Sequence, residues 1–385
     1  MIHRDLKPSK TSSFFLFGPR GTGKSTWLRG FSPAKNTLFV DLLDPQTEDS
    51  LFRNPNELKH QIEGRKNPPA WVVVDEVQKV PRLLDVVHGL IEGKGTKFAL
   101  TGSSARKLKR GVSNLLAGRA FVYQLFPFTE KELGDDFDLK DALTWGTLPR
   151  LVSLPQADDK AEYLRAYALT YLKEEIASEQ VVRWLPPFRN FLGVAAQCSG
   201  QVINFTKVAR DVGVDTKTVQ SYFEILEDTL MGISLPAFHL SVRKRQRSHP
   251  KFYFFDTGVK RALDRTLDQE LYPRTFAWGF AFEHWIINEI HRRVHYARKD
   301  WTFSYLQTTD GGEIDLIVDR PGLSRLLVEI KSTDLVEEKD VACLNRLTPD
   351  IPNGLAFCLS LDPTRKKIGE VTCLFWRSAF DEWGL

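Results

Sequence analysis

Ser13-Phe14-Phe15-Leu16-Phe17-Gly18-Pro19-Arg20-Gly21-Thr22-Gly23-Lys24-Ser25-Thr26 is the stretch on which the reading of this chain turns. Five residues rich in phenylalanine form a buried-strand pattern, and they run directly into G-x-x-x-x-G-K-S, the phosphate-binding Walker A pattern. Strand, loop and helix follow in the order that a phosphate cradle requires. Glycines at Gly18, Gly21 and Gly23 let the backbone bend so that its N–H groups and the next helix N-terminus face an anion. Lys24 is placed to reach the β and γ phosphates of ATP, and the Ser25 hydroxyl to meet Mg2+. Pro19, Arg20, Thr22 and Thr26 complete the expected nucleotide contacts.

Further apolar runs recur at Thr37 to Asp41, Trp71 to Asp75, Lys97 to Thr101 and Ala120 to Gln124. With helical segments between them, they predict a parallel α/β sheet. Trp71-Val72-Val73-Val74-Asp75-Glu76 delivers two carboxylates to the end of a strand, where open α/β sheets bind ligands. Asp75 is expected to hold the metal through water and Glu76 to polarise the attacking water. Leu100-Thr101-Gly102-Ser103-Ser104 ends a strand in small hydroxyls, and Ser103 or Ser104 is either a γ-phosphate sensor or a helix cap. Arg119 is a candidate arginine finger, in its own subunit or a neighbour's, or else a surface ion pair.

These motifs resemble the AAA+ family, and within it a bacterial and archaeal group in which the ATPase precedes a C-terminal domain of unknown function. The resemblance rests on Gly18 to Thr26, Val72 to Glu76, Thr101 to Ser104, Leu115 to Arg119 and acidic motifs near the C-terminus. It implies an ATPase able to form homo-oligomers, and it favours Ser103 or Ser104 as sensor and Arg119 as finger.

The composition fits such a reading. The chain has 385 residues, 42% hydrophobic and 26% charged, which predicts several soluble domains. No apolar stretch is long enough to span a bilayer, and the charged Met1 to Lys10 lacks the apolar centre of an export signal. A cytoplasmic location without membrane partners is therefore expected. Four cysteines at irregular spacings predict buried thiols rather than zinc or disulfides. A formal charge of +4 is too mild to bring nucleic acid to the whole surface, so any contact must be local. His3-Arg4-Asp5-Leu6-Lys7-Pro8 spells a kinase catalytic loop, yet Lys10 stands where its metal-binding asparagine belongs, and the two residues before His3 cannot supply the lobe expected ahead of such a loop.

Beyond Gln124 the pattern becomes helical, with a long helix expected over Ala161 to Ser178 and a solvated acidic loop at Asp135 to Asp138. Phe205 to Leu230 reads as a helix-turn-helix bent at Gly213, its second helix starting near Asp215 and exposing Thr216, Lys217, Thr218 and Gln220. Arg243, Lys244, Arg245, Arg247 and Lys251 follow without an acidic neighbour, as in a basic wing that touches double-stranded DNA or only solvent.

Near the C-terminus, a helix over Phe280 to His291 carries Glu283, a strand opening at Gly312 carries Asp315, and the next strand ends in Glu329-Ile330-Lys331. Alternation puts Glu329 and Lys331 on one face. Carboxylates of this kind bind Mg2+, which acidifies water, while a lysine steadies charge developing on phosphate. A paired salt bridge is the plainer alternative.

The pattern resembles the restriction-endonuclease-like, PD-(D/E)XK superfamily over Trp278 to Trp383. The resemblance implies metal ligands Asp315 and Glu329, Lys331 beside the scissile phosphate and Glu283 as an auxiliary acid. Many members of that superfamily keep the fold without demonstrated cleavage. The expected organisation is an ATPase core at 1–128, a helical lid at 129–185, a winged-helix-like domain at 186–262 and the nuclease-like domain at 263–385.

Overall fold

The computed structural model describes residues 2–31, 36–103, 116, 118–171, 185–239 and 249–385. Five strands, β1 (Ser13–Phe17), β2 (Thr37–Asp41), β3 (Trp71–Asp75), β4 (Lys97–Gly102) and β5 (Ala120–Gln124), form an all-parallel sheet in the order β2-β3-β4-β1-β5. Continuous apolar runs suit strands covered on both faces. One face packs Phe15, Phe17, Val72, Val74 and Leu100, and the other Phe14, Leu16, Trp71 and Val73. This α/β arrangement is consistent with a P-loop NTPase fold.

The middle of the chain has its own core, built from Phe188, Phe191, Val208, Val219, Phe223 and Leu226 with Phe252 and Phe254. Helices Phe205–Val212 and Thr216–Asp228 flank Gly213, whose φ of 78° closes the first helix in a way most side chains resist. Asp215 caps the second helix by accepting from the Thr218 N–H at 2.9 Å. A hairpin follows, β6 (Gly232–Leu235) against β7 (Lys251–Phe254). The helix expected over Ala161 to Ser178 begins earlier, at Ala157, and widens into a π-helical turn at Tyr167–Tyr171, while 172–178 lie outside the described residues.

The C-terminal sheet is mixed: β8 (Thr302–Gln307), β9 (Glu313–Asp319), β10 (Arg325–Lys331), β11 (Gly354–Ser360), β12 (Lys366–Ile368) and β13 (Val371–Phe375), ordered β12-β13-β11-β10-β9-β8. The long helix Phe276–Tyr296 packs Trp285, Ile286 and Ile290 on one face of it, and Val341 and Leu344 cover the other. All four cysteines are free thiols. Cys358 and Cys373 are buried as expected, but Cys198 and Cys343 are only half-buried.

The kinase-like segment has a structural role. Arg4 is buried, pairs with Glu132 at 3.3 Å, donates to the Phe126 carbonyl and reaches the Tyr296 hydroxyl at 3.0 Å. It ties the start of the chain to the end of the long helix. Among the described residues no helix is long and apolar enough to cross a membrane.

Candidate functional site

Two groups of candidate residues are brought together, one around the loop after β1 and one on the C-terminal sheet. At the first, β1 ends in the loop Gly18 to Gly23 and the helix Lys24–Gly30 begins immediately after it. Gly21 and Gly23 have φ of 80° and 89°, values at which a side chain is strained. Gly18 allows no side chain for another reason: a Cβ there would stand 2.2 Å from the Leu125 carbonyl oxygen. Lys24 is buried with its ammonium folded back on its own loop, donating to the carbonyls of Gly18 at 2.7 Å and Pro19 at 3.1 Å. An ammonium held by loop carbonyls is at the place where phosphate oxygens would offer stronger acceptors. The donor set therefore fits a nucleotide phosphate, with Ser25 half-buried at the start of the helix and Thr26 exposed beside it.

The second half of this site comes from β3 and β4. Asp75 is buried at the strand end, and Glu76 follows in the left-handed region with φ 60°. Such a conformation is uncommon for a residue with a side chain, and here a neighbour fixes it. The Thr101 hydroxyl accepts the Glu76 N–H at 2.9 Å and donates to Asp75 Oδ1. The Gln78 amide in turn donates to Glu76 Oε2. Ser103, expected as a sensor, is buried two residues further on, and Ser104 lies outside the described residues. Thr101 is not singled out by the sequence pattern among the hydroxyls of this strand end. Its register, opposite Leu16 of β1 and next to Asp75 of β3, is set by strand pairing and not by local sequence.

Arg119 requires a correction. It precedes Ala120, which pairs with Ser13 at the N-terminal end of β1, so it lies at the opposite end of the sheet from the phosphate loop. Four residues of strand, roughly 13 Å, separate the two levels, which excludes a contact with nucleotide in the same subunit. Glu92 accepts from its guanidinium at 2.8 Å. Arg20 is exposed, and its backbone carbonyl accepts the Tyr167 hydroxyl at 2.9 Å. The π-helical turn therefore rests on the loop, with the Tyr163 hydroxyl 3.1 Å from where a Gly21 side chain would begin.

The C-terminal acids do come together. Asp315 on β9 accepts the Ile330 N–H of β10 at 2.7 Å, and Lys331 pairs with Glu329 at 2.6 Å. Glu283 reaches them from the long helix and accepts the Tyr253 hydroxyl at 2.6 Å. Burial, joined by the charge of Asp315, raises the Glu283 carboxyl to about 7 and Glu329 to about 8. Burial also raises Asp315, against the pull of Lys251 and Lys331. Among the described residues no three His, Cys, Asp or Glu side chains form a ready metal cage. Glu329 Oε2 is buried without a hydrogen-bond partner, while Lys331 holds the other oxygen and the carboxylates of Asp315 and Glu283 act on it as like charges.

Lys251 is the second correction. The sequence placed it in a solvent-facing basic wing, but its side chain is 4% exposed and pairs with Glu313 and, at 3.7 Å, with Glu283. It enters the acidic site because the stretch Pro236–Phe238 that follows β6, the partner of β7, runs beside Tyr305 of β8. Arg243, Lys244, Arg245 and Arg247 lie outside the described residues. A cavity of 470 Å³ lined by Arg274, Phe276, Phe280, Glu283, Lys331 and Asp340 adjoins the site.

Comparison with known proteins matches residues 10–134 to an AAA domain, 136–270 to a domain of unknown function (DUF8612) and 278–376 to another (DUF4143). Uncharacterized proteins of Mycobacterium tuberculosis and Mycobacterium bovis are each 25% identical over 311 residues, 80% of this chain and 67% of the relative. One from Haemophilus influenzae is 22% identical over 275 residues, 64% of this chain and 68% of that protein. The family match over residues 10–134, the parallel sheet and the loop after β1 together support an AAA-like P-loop domain, and the matches beyond it are to two domains of unknown function.

Proposed function

We propose that this protein hydrolyses ATP and uses the nucleotide state to control a C-terminal, nuclease-like Mg2+ site acting on DNA. The observation that carries this reading is the long helix Phe276–Tyr296, which carries Glu283 and is bonded near its C-terminal end to the 126–130 segment that follows β5. At its C-terminal end Tyr296 accepts the Phe126 N–H at 3.1 Å, Arg292 donates to the Phe128 carbonyl at 3.1 Å, and Glu289 accepts the Glu130 N–H at 3.0 Å. Leu125, just before this segment, is the residue against which Gly18 packs. Toward the other end the same helix carries Glu283, about 20 Å away along its axis. A shift of the 125–130 segment on nucleotide binding would be passed to the acidic site by a rigid rod.

In this reading Lys24 and Ser25 hold the phosphates and metal, Asp75 orients the metal's water shell, and Glu76 directs the attacking water, aligned by Thr101. Mg2+ supplies charge neutralisation at the phosphates. At the second site Asp315 and Glu329 would hold the cation, Lys331 would face a phosphate, and the adjoining cavity would admit a strand. The middle domain contributes DNA contact through the N-terminal turn of helix Thr216–Asp228. Its exposed face turns acidic beyond that point, at Glu224, Glu227 and Asp228, so phosphate contact is confined to Lys217 and its neighbours. Arg119 would act only across subunits of a homo-oligomer.

A second reading, a nucleotide-dependent regulatory protein whose C-terminal domain binds partners and cuts nothing, is favoured by Lys251, whose ammonium already pairs with Glu283 and Glu313. The two are separated by measuring ATP hydrolysis and DNA integrity for wild type, Lys24→Ala, Glu76→Gln and Asp315→Ala, with and without double-stranded DNA. ATP hydrolysis lost in the first two variants, with Mg2+-dependent cleavage lost in the third, supports the first reading. Hydrolysis indifferent to DNA, with no cleavage, supports the second.

A further inference from the structure

We infer that Tyr167 of the middle domain is a positioning residue of the phosphate loop, so that the docking of that domain sets how tightly the loop holds a nucleotide. The inference rests on the reading of Gly18 to Ser25 as an ATP site and adds to it a regulating residue from outside the ATPase domain. Tyr167 is 1% exposed and belongs to the middle domain's own core, with Leu148, Leu164 and Phe255. Its hydroxyl reaches out of that core and donates to the Arg20 carbonyl at 2.9 Å.

The carbonyls of Gly18, Pro19 and Arg20 are each held. Lys24 takes those of Gly18 and Pro19, and the Thr22 hydroxyl also donates to Pro19 at 2.9 Å. The Arg20 carbonyl is taken by Tyr167. A nucleotide phosphate would draw Lys24 away from the loop, whereas the bond from Tyr167 involves no group that a phosphate replaces. Peptide bonds here are trans, and in a planar trans unit a carbonyl held on one side aims the next N–H to the other. Tyr167 thereby fixes the direction of the Gly21 N–H, one of the amides that the cradle offers to an anion. The turn it belongs to, Tyr167–Tyr171, is π-helical, a widening frequent at functional sites.

Shape backs the bond. A Cβ at Gly21 would stand 3.1 Å from the Tyr163 hydroxyl and 3.6 Å from the Tyr167 ring, and one at Gly23 would stand 3.6 Å from Pro149. The middle domain therefore covers the loop at Gly21 and Gly23 as well as bonding it at Arg20. Movement of that domain off the loop breaks the bond, releases the Arg20–Gly21 peptide and weakens the hold on phosphate. By linkage, a bound nucleotide favours the docked middle domain by the same factor.

The test is calorimetric binding of Mg-ATP and of inorganic pyrophosphate to full-length wild type, Tyr167→Phe and Lys24→Ala. Tyr167→Phe keeps the ring and loses one hydroxyl, so its melting temperature without nucleotide should fall by no more than about 4 °C. Its affinity for both ligands should fall about threefold or more, and equally for each, since pyrophosphate has no base and reports the loop alone. A smaller loss of affinity, with or without a lower melting temperature, overturns the positioning role, as does a loss for ATP that pyrophosphate does not share. In either case, wild-type binding that Lys24→Ala abolishes leaves the ATP site standing. Wild-type binding of neither ligand, or binding that Lys24→Ala leaves intact, overturns the nucleotide reading and the inference with it.

Discussion

Thr101→Val removes one hydroxyl and keeps the shape of the side chain, and its effect follows from what that oxygen does. Thr101 is fully buried and joins the Glu76 N–H to the Asp75 carboxylate. Valine leaves a peptide N–H without its acceptor, which costs about 1–3 kcal/mol, and takes from a carboxylate a donor worth about 1.5–3 kcal/mol. The two effects share an atom and do not add fully, so a stability loss of about 2–4 kcal/mol is expected. Glu76 also loses the contact that fixes its φ of 60°. A displacement of about 1 Å in a positioning group lowers turnover by about 10²-fold. The phosphate cradle from Gly18 to Thr26 belongs to β1 and its helix, so ATP affinity should change less than about threefold, well short of the turnover loss. Phosphate release and fluorescent-nucleotide binding measure the two quantities, with Thr101→Ser, which keeps the hydroxyl, expected near wild type. A Thr101→Val rate within threefold of wild type, or an affinity that falls in step with the rate, refutes the reasoning.

Three further outcomes are expected. Gly18→Ala should weaken nucleotide binding about tenfold or more, since its methyl meets the Leu125 carbonyl and overpacking costs about 1–3 kcal/mol; equilibrium binding near wild type would contradict this. Arg292→Met should lower urea stability by roughly 3–5 kcal/mol, because buried Arg292 serves Phe128, Thr147 and Phe255 and lies beside buried Asp256; a loss under about 1 kcal/mol counts against the joint. His284 is buried and neutral, lowered to about 3 by burial despite its bond to the Phe254 carbonyl. Below its ordinary value of 6.5 the unfolded chain takes up a proton that the folded one refuses, so this histidine costs stability as pH falls from about 6.5 toward 3, about 2 kcal/mol at pH 5. His284→Gln, which retains an N–H for Phe254, should reduce the stability difference between pH 7.5 and pH 5 by that amount, and an unaltered pH dependence in urea unfolding would disprove it.

The loop between β1 and its helix, the five strands and the acidic pair at the end of β3 could be read from sequence because each is a contiguous device. A cradle needs successive backbone N–H groups, and a buried strand needs successive apolar side chains. The helix-turn-helix was legible for the same reason, through Gly213 and the Asp215 cap. The tertiary structure alone decided what depends on register and on packing between domains. Strand pairing set Thr101, rather than Ser103, against Asp75 and Glu76, and placed Arg119 at the far end of the sheet. Packing of the hairpin on β8 turned Lys251 from a solvent-facing wing into the cation of an acidic site. No local pattern encodes these contacts, since each joins segments far apart in the chain, and their geometry exists only once the sheets have formed. The long helix shows both levels: its apolar stripe is written in Phe282, Trp285, Ile286 and Ile290, whereas the partners of Glu289, Arg292 and Tyr296 belong to another domain.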